Sequence, residues 1–395
     1  MGIFDFAKKQ ANSSRVLVVH VGSTSVVGSF VTYQNDKPKI EAVISSDIAV
    51  LSDLTYAQFE REMQKALSVT LKKMASLSFG KPDEISVFLS SPWYASQVRT
   101  AKLNRDIPFL VTKQMLDDMV GKELKAFEDD EIKEKHLAGD SLAVIESKTV
   151  SVKLNGYSHD TPIGAKASSL ELSLFLAVSP VTLQTKIKDS LASFYGHTQV
   201  MFCTFLTASF LISRDILPQK ESYILLDIGG EITDVSVMRD GAPVQSISYP
   251  IGKNFLLRRL SHALKRSVSE SATLCMLYME GKVENTMKDM CAKILDEAKA
   301  EWLGAFQRTL LAMTNELSIP DTILLTVDQE IAPWFVELTS HEEFHQYALT
   351  EKDFKVLQLN AELFHERLSF AENVPRNPFV MIEALACISL FKKNA

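Results

Sequence analysis

Two short segments of this chain place small residues and carboxylates where a phosphate could be held. In the first, Asp227-Ile228-Gly229-Gly230 lies between the β-prone runs Ile224 to Leu226 and Val235 to Met238, with Thr233 and Asp234 just beyond the turn. Consecutive backbone amides of such a turn form a concave anion site, and glycines let that backbone approach a ligand closely. The Thr233 hydroxyl would add a donor. Asp227 and Asp234 stand at the two edges, where a carboxylate can hold a magnesium-bound water. One hairpin of this kind is weak evidence, because any hairpin can carry Asp-x-Gly-Gly. An earlier segment, VVHVGSTSVVGSF, repeats the design with Gly22, Ser23, Thr24 and Ser25 in its turn. The two copies lie about half a chain apart, as an internal duplication would place them.

The elements that must position these turns are legible from pattern. Strands are predicted over VLVVHVG, SVVGSFVTY and KIEAVI, between Arg15 and Ile44, and over Glu84 to Ser90. Their continuous apolar runs suit strands buried on both faces. A helix fits Tyr56 to Leu77. From about Tyr94 to Pro180 the chain changes character: a strand (SQVRTAKL), a helix from Lys113 to Lys125, an acidic stretch (EDDEIKEKH) read as a solvated loop or helix end, and two further strand-like segments. This block reads as a small α+β insertion. A helix from Leu183 to Tyr195, the strand QVMFCTF and a helix from Leu206 lead to the second hairpin. Beyond Asn254 the pattern is mostly helical, with Met287, Met290, Ile294, Ala298, Trp302, Phe306, Leu310, Met313 and Leu317 forming one long apolar stripe. TILLTV follows as a strand, and Phe379 to Phe391 as a closing helix.

Bulk properties narrow the function. The length, 395 residues, exceeds one ordinary core and implies at least two domains. A net charge of −7 argues against a nucleic-acid partner. Cys203, Cys275, Cys291 and Cys387 are widely spaced, as expected of buried thiols in a reducing compartment rather than disulfides or zinc ligands. No signal peptide and no apolar run of membrane-spanning length is visible, so a cytoplasmic location is expected. Ile3, Phe4 and Phe6, followed by Lys8 and Lys9, read as a frayed terminus or a contact with a membrane or partner. His341 and His345 share a helical spacing of four, but no third metal ligand accompanies them.

Several motifs resemble the bacterial FtsA/PilM group of the actin, Hsp70 and sugar-kinase superfamily. Two phosphate hairpins, one per lobe, are that superfamily's hallmark. ISYPIGKNFLLRRLSHALKRSVSESA is similar to the group's Pro-x-Gly turn, helix and short Ser-led helix. Tyr157, Asp160, Pro162, Gly164, Leu170 and Glu171 resemble the end of its inserted subdomain. MGIFDFAKK resembles PilM-like starts, and NPFVMIEALACISL the closing helix. The resemblance implies an α/β, two-lobed actin-like fold of duplicated RNase H-like domains with a small inserted α+β subdomain. Its parts would be a flexible segment at 1–14, a first lobe at 15–92 and 180–218, the insert at 93–179, a second lobe at 219–378 with a helical region near 254–318, and a closing helix at 379–395. ATP and magnesium would lie between the lobes, on Gly22, Ser23, Thr24, Ser25, Asp227, Gly229, Gly230, Thr233 and Gly252, with Asp227 and Asp234 reaching the metal through water. The implied role is assembly at the inner face of the cell membrane. There the protein would link a cytoplasmic peptide of an inner-membrane protein, or a filament-forming protein, to a type IV pilus-type or cell-division machine, with self-association as a further expectation.

The chain departs from the group at several nucleotide contacts. His20 stands where relatives carry an acid near magnesium, and reads as a buried strand histidine satisfied by a neighbour. Glu231 replaces the third turn glycine and would oppose a phosphate unless it points away. Ala272-Thr273-Leu274-Cys275-Met276 lacks the polar contacts of the adenine-side helix. Thr326-Val327-Asp328-Gln329 replaces a glycine loop, and Thr204 offers no acid or amide to position attacking water. Phosphoryl transfer needs these groups, so ATPase activity is expected to be weak or absent. An active Mg-ATPase of the same group is the alternative. A sugar-kinase phosphotransferase would need a catalytic aspartate, and a chaperone a further peptide-binding domain; the sequence supplies neither.

Overall fold

The computed structural model describes residues 14–34, 37–50, 55–134, 141–218, 220, 222–239, 242–314, 319–340 and 354–392. The first lobe is built on β1 (Ser14–Val21), β2 (Ser25–Gln34), β3 (Lys37–Asp47), β4 (Glu84–Leu89), β9 (Val200–Thr204) and β15 (Ser369–Phe370), with α1 (Tyr56–Ala75), α3 (Val181–Tyr195) and α4 (Phe205–Ile216). The second is built on β10 (Ser222–Ile228), β11 (Thr233–Arg239), β12 (Ala242–Tyr249), β13 (Thr322–Val327) and β14 (Lys355–Gln358). Its helices are α5 (Lys253–Leu264), α6 (Val268–Met279), α7 (Asn285–Thr314) and α8 (Ala332–Thr339).

The duplication inferred from two hairpins extends to the sheets. The first-lobe order β15-β3-β2-β1-β4-β9 contains β3-β2-β1-β4-β9, and the second lobe runs β12-β11-β10-β13-β14. In both, the first three strands form an antiparallel meander and the last two join in parallel. Parallel strands need crossover connections, and α1 and α7 lie in the corresponding crossovers. Val16 to Val19 and Ile323 to Leu325 are no more than 1% exposed, which explains their continuous apolar runs. Burying one such side chain contributes about 1.5–3 kcal/mol.

The inserted subdomain forms its own four-stranded sheet, β5-β8-β6-β7, from β5 (Ala95–Leu110), β6 (Leu142–Leu154), β7 (Tyr157–Ser158) and β8 (Lys166–Pro180). Helix α2 (Lys113–Glu134) covers one face through Met119 and Phe127. The acidic stretch therefore starts as a continuation of α2 rather than a loop. On α7 the buried row is Cys291, Leu295, Ala298, Trp302, Ala305, Phe306, Leu310 and Met313, while Met290 is largely exposed. A repeat of three and four drifts around a 3.6-residue helix, so the sequence stripe is displaced in the first turns.

After β14 the chain returns to the first lobe. Leu359, Phe364 of α9 (Ala361–Phe364) and Leu368 belong to the first-lobe core, and Ser369 and Phe370 pair with Lys39 and Ile40 of β3. Phe364, Leu368, Ser369 and Phe370, grouped with the second lobe on sequence, therefore contact the first, while the Leu359 amide donates to Leu325 O of β13. Helix α10 (Pro378–Lys392) is the closing helix. Val380 to Ala384, Ala386 and Cys387 are buried without a solvent face, as in a helix apolar all round. It packs on α4 and β1 and also touches β13 of the other lobe. No helix among the described residues is long and apolar enough to cross a membrane. The opening Ile3-Phe4-Phe6 segment and the His341–His345 pair lie outside the described residues.

Candidate functional site: the cleft between two hairpins

The fold brings the two glycine turns face to face. The first is closed by the Gly22 amide donating to Ser25 O at 3.1 Å, and Trp93 Nε1 donates to Gly22 O at 2.7 Å. Thr24 O accepts from the Ile48 amide, and Ser25 opens β2. The second is closed by the Gly229 amide donating to Ile232 O at 3.0 Å. Asp227 and Asp234 are direct cross-strand partners on β10 and β11. All nine sequence-predicted nucleotide residues and Asp234 thus lie in or beside these turns.

What fills the space between the turns is protein. Ser23 Oγ accepts hydrogen bonds from the Gly230 amide at 2.8 Å and the Glu231 amide at 3.2 Å. These are the donors a phosphate oxygen would use. On its other side the second turn is tied to α5: the Lys253 amide donates to Gly229 O and the Asn254 amide to Gly230 O, at 2.9 and 2.7 Å. Those two amides belong to the first turn of the helix, whose N-terminus otherwise makes a ready anion site. The Thr233 hydroxyl, expected as a phosphate donor, donates to Ile251 O at 2.7 Å. Gly252, the N-cap of α5, is pressed against the turn so closely that a Cβ there would meet Gly229 O and Gly230 O at 2.5 Å. The cavity remaining among His20, Ser23, Asp227, Gly229 and Asp234 measures about 10 Å³, room for one water at most.

The charged groups around the cleft are mostly bound to one another. His20 Nδ1 lies 2.6 Å from Glu383 Oε1 on α10, with both side chains almost fully enclosed. Phe205 and Phe379 flank the imidazole. The histidine is therefore satisfied by a neighbour, as its place in a buried strand predicted. Glu231 points away from the turn, accepting from both terminal nitrogens of Arg258 at 3.0 and 2.6 Å and from Asn254 Nδ2 at 2.8 Å. Lys253 pairs with Asp328 beyond the end of β13. Asp234 Oδ1 accepts from Ser91 and Ser248. Asp227 differs: its Oδ1 is buried with no hydrogen-bond partner.

Burial pushes the Asp227 carboxyl well above its ordinary range, and Asp234, Asp328 and Glu383 add repulsion. Burial also raises Asp234, with the Ser248 and Ser91 hydroxyls pulling back, and raises Glu383 against the pull of His20. A carboxyl with a raised folded-state pKa binds its proton more tightly than in the unfolded chain. Its contribution to stability is therefore present at low pH and lost as pH rises through the folded pKa.

Between α5, α6 and the end of β13, Lys253, Leu256, Leu257, Ala272, Cys275, Met276, Glu330 and Ile331 enclose about 70 Å³, and a cavity of about 610 Å³ between α6, α7 and α8 adjoins it at Met276 and Glu330. Val327 is buried at the end of β13. Thr204 is the N-cap of α4, and a carboxylate does reach it: Glu146, from β6 of the insert, accepts from Thr204 Oγ1 at 2.8 Å and from Thr207 Oγ1. Nothing in the local sequence marks Glu146, because its role arises from the packing of one subdomain on another. Among the described residues no cluster of three or more metal-ligating side chains occurs.

A larger cavity, about 320 Å³, opens where the insert, α4 and β12 meet. Val150, Phe175, Leu206, Phe210 and Pro243 line it, with Lys148 and Arg214 beside them.

This architecture has a counterpart among solved structures. A PilM-PilN type IV pilus biogenesis complex contains a chain that is 13% identical, with 94% of this chain and 97% of that chain covered and a TM-score of 0.62. The fold is the actin-like one. Weaker likenesses, carrying no argument of their own, are a Bacteroides thetaiotaomicron protein of actin-like ATPase fold and unknown function and the ethanolamine utilization protein EutJ of Carboxydothermus hydrogenoformans. The first is 9% identical, with coverages of 98% and 99% and a TM-score of 0.43. The second is 10% identical, with coverages of 94% and 88% and a TM-score of 0.41. No protein-family model and no curated protein matches the chain.

Proposed function

We propose that this protein is an actin-like scaffold that works by holding partners, with a cleft that neither binds nor hydrolyses ATP productively. The observation that carries this reading is Ser23, whose hydroxyl takes the Gly230 and Glu231 amides of the facing turn. An incoming phosphate must break both bonds and separate the lobes. The residues present do not suit ATP: the phosphate turn is occupied, its second side is tied to α5, and Lys253 and Asp328 pair beside it. Only the metal edge is retained, in Asp227 and Asp234. Asp227, with its unpartnered Oδ1, is the one feature that favours an active Mg-ATPase instead.

The partner reading rests on the PilM-PilN likeness in fold and on the 320 Å³ cavity, whose mixed lining of apolar and cationic side chains can take one or two side chains of a peptide. The partner would be a cytoplasmic peptide of an inner-membrane protein in a type IV pilus-type assembly, holding this protein at the inner face of the membrane. Phosphate release from millimolar ATP and magnesium is the direct enzymatic test. The expected result is no turnover above buffer, and none lost on Asp227→Asn; magnesium-dependent turnover abolished by that substitution would establish the ATPase instead.

A further inference from the structure

The same cavity carries information on what it binds. Arg214, in the last turn of α4, is exposed and has no ion-pair partner among the described residues. Its guanidinium lies 5.9 Å from the centre of the Phe210 ring, which also lines the cavity. The second cation, Lys148, is already engaged, 3.3 Å from Glu146 Oε1. The pocket therefore combines an apolar floor with one free, planar, bidentate donor at its edge. A guanidinium held on an aromatic ring is suited to grip a carboxylate. The floor comes from three bodies: Val150 and Phe175 from the insert, Leu206 and Phe210 from the first lobe, and Ala242 and Pro243 from the second.

Resting on the peptide-docking reading, we propose that the occupant is an internal peptide segment in which an apolar side chain, seated on Phe175, Leu206 and Pro243, is followed closely by an Asp or Glu held by Arg214. Because the segment would touch the insert and both lobes, its binding fixes their relative positions without any nucleotide.

The test uses the full-length protein and a displayed library of random heptapeptides embedded between fixed flanks, so that no peptide has a free terminus. Three forms are compared: the unchanged chain, Arg214→Glu, and Thr149→Trp, which puts a bulky ring from an exposed position into the cavity. Circular dichroism confirms that each is folded. The expected result is enrichment of peptides pairing an apolar residue with an acid, lost with Thr149→Trp. The same peptides should weaken at least about tenfold on Arg214→Glu. An apolar motif without an acid, binding Arg214→Glu equally well, would overturn the carboxylate proposal while leaving the docking site intact. Enrichment found only in a parallel library with free C-termini would move the carboxylate to a chain end and also overturn it. No enrichment sensitive to Thr149→Trp would overturn the docking reading itself.

Discussion

Replacing Glu383 by Ala is expected to lower the unfolding free energy by about 2–5 kcal/mol, because it opens a cavity in the core and removes a buried hydrogen-bond partner. His20 and Glu383 are 3% and 0% exposed and 2.6 Å apart, so the imidazole would lose its hydrogen-bonded carboxyl deep inside the first lobe. The pair itself is not indispensable. Phe205 and Phe379 already surround His20, and Glu383 sits in an otherwise apolar stretch of α10. The double substitution His20→Phe with Glu383→Leu is therefore expected to fall within about 1.5 kcal/mol of the unchanged protein, since apolar residues of similar volume replace buried pairs at little cost. Guanidinium unfolding of the two forms decides the point. Equal destabilisation of single and double forms would mean that the pair has a role beyond filling the core.

Replacing Gly252 by Ala is the second change with a large expected effect. The added Cβ would lie 2.5 Å from Gly229 O and Gly230 O and 2.7 Å from Gly230 C. All three are backbone atoms, so no side-chain rotation relieves the clash, and either α5 or the glycine turn must move. A loss of about 2–3 kcal/mol is expected from the overpacking. The displacement should also loosen the Ser23 contacts, so that the Gly230 and Glu231 amides exchange hydrogen faster. Gly121→Ala on α2 is the control, because nothing lies within 4 Å of a Cβ added there. A Gly252→Ala protein as stable as the control, with unchanged exchange at Gly230, would contradict the close seating of α5 on the turn.

Much of the fold was legible because it is written twice. The two hairpins recur with the same apolar-turn-apolar pattern, and continuous runs such as VLVVHV and TILLTV mark strands buried on both faces. The fate of residues 359–378 was not legible. Their return to β3 depends on a two-residue strand, Ser369–Phe370, too short to carry a periodic signal. At the cleft, sequence located the right residues but not their partners. Ser23 reads equally well as a phosphate ligand and as the group that takes its place, because a hydroxyl accepts from the same amides. The outcome depends on how closely the lobes approach, and α10 and the Ser91–Asp234 hydrogen bond join them beside the turns. Glu231 itself shows why identity and orientation differ: a carboxylate in the phosphate turn reads as repulsive, yet Arg258 and Asn254 draw it to the far side. Glu146 gave no signal at all, since its contacts with Thr204 and Thr207 span about sixty residues and two subdomains.

The retained and altered parts of the cleft form a consistent pattern. Asp227 and Asp234 face each other across β10 and β11 beside the second turn. The donors that would serve a nucleotide are turned inward, to Ser23, to the carbonyls of the second turn and to Ile251. Ser23 and Ser91 bond across the cleft to the second lobe.

The thermal unfolding midpoint of the full-length protein, with and without saturating ATP and magnesium, tests this most directly. A ligand that binds only the folded state at a hundred times its dissociation constant stabilises it by about 2.7 kcal/mol. With Ser23 holding the Gly230 and Glu231 amides, the midpoint is expected to be unchanged at millimolar Mg-ATP. A rise of several degrees that needs both ATP and magnesium, and disappears with Asp227→Asn, would contradict the account.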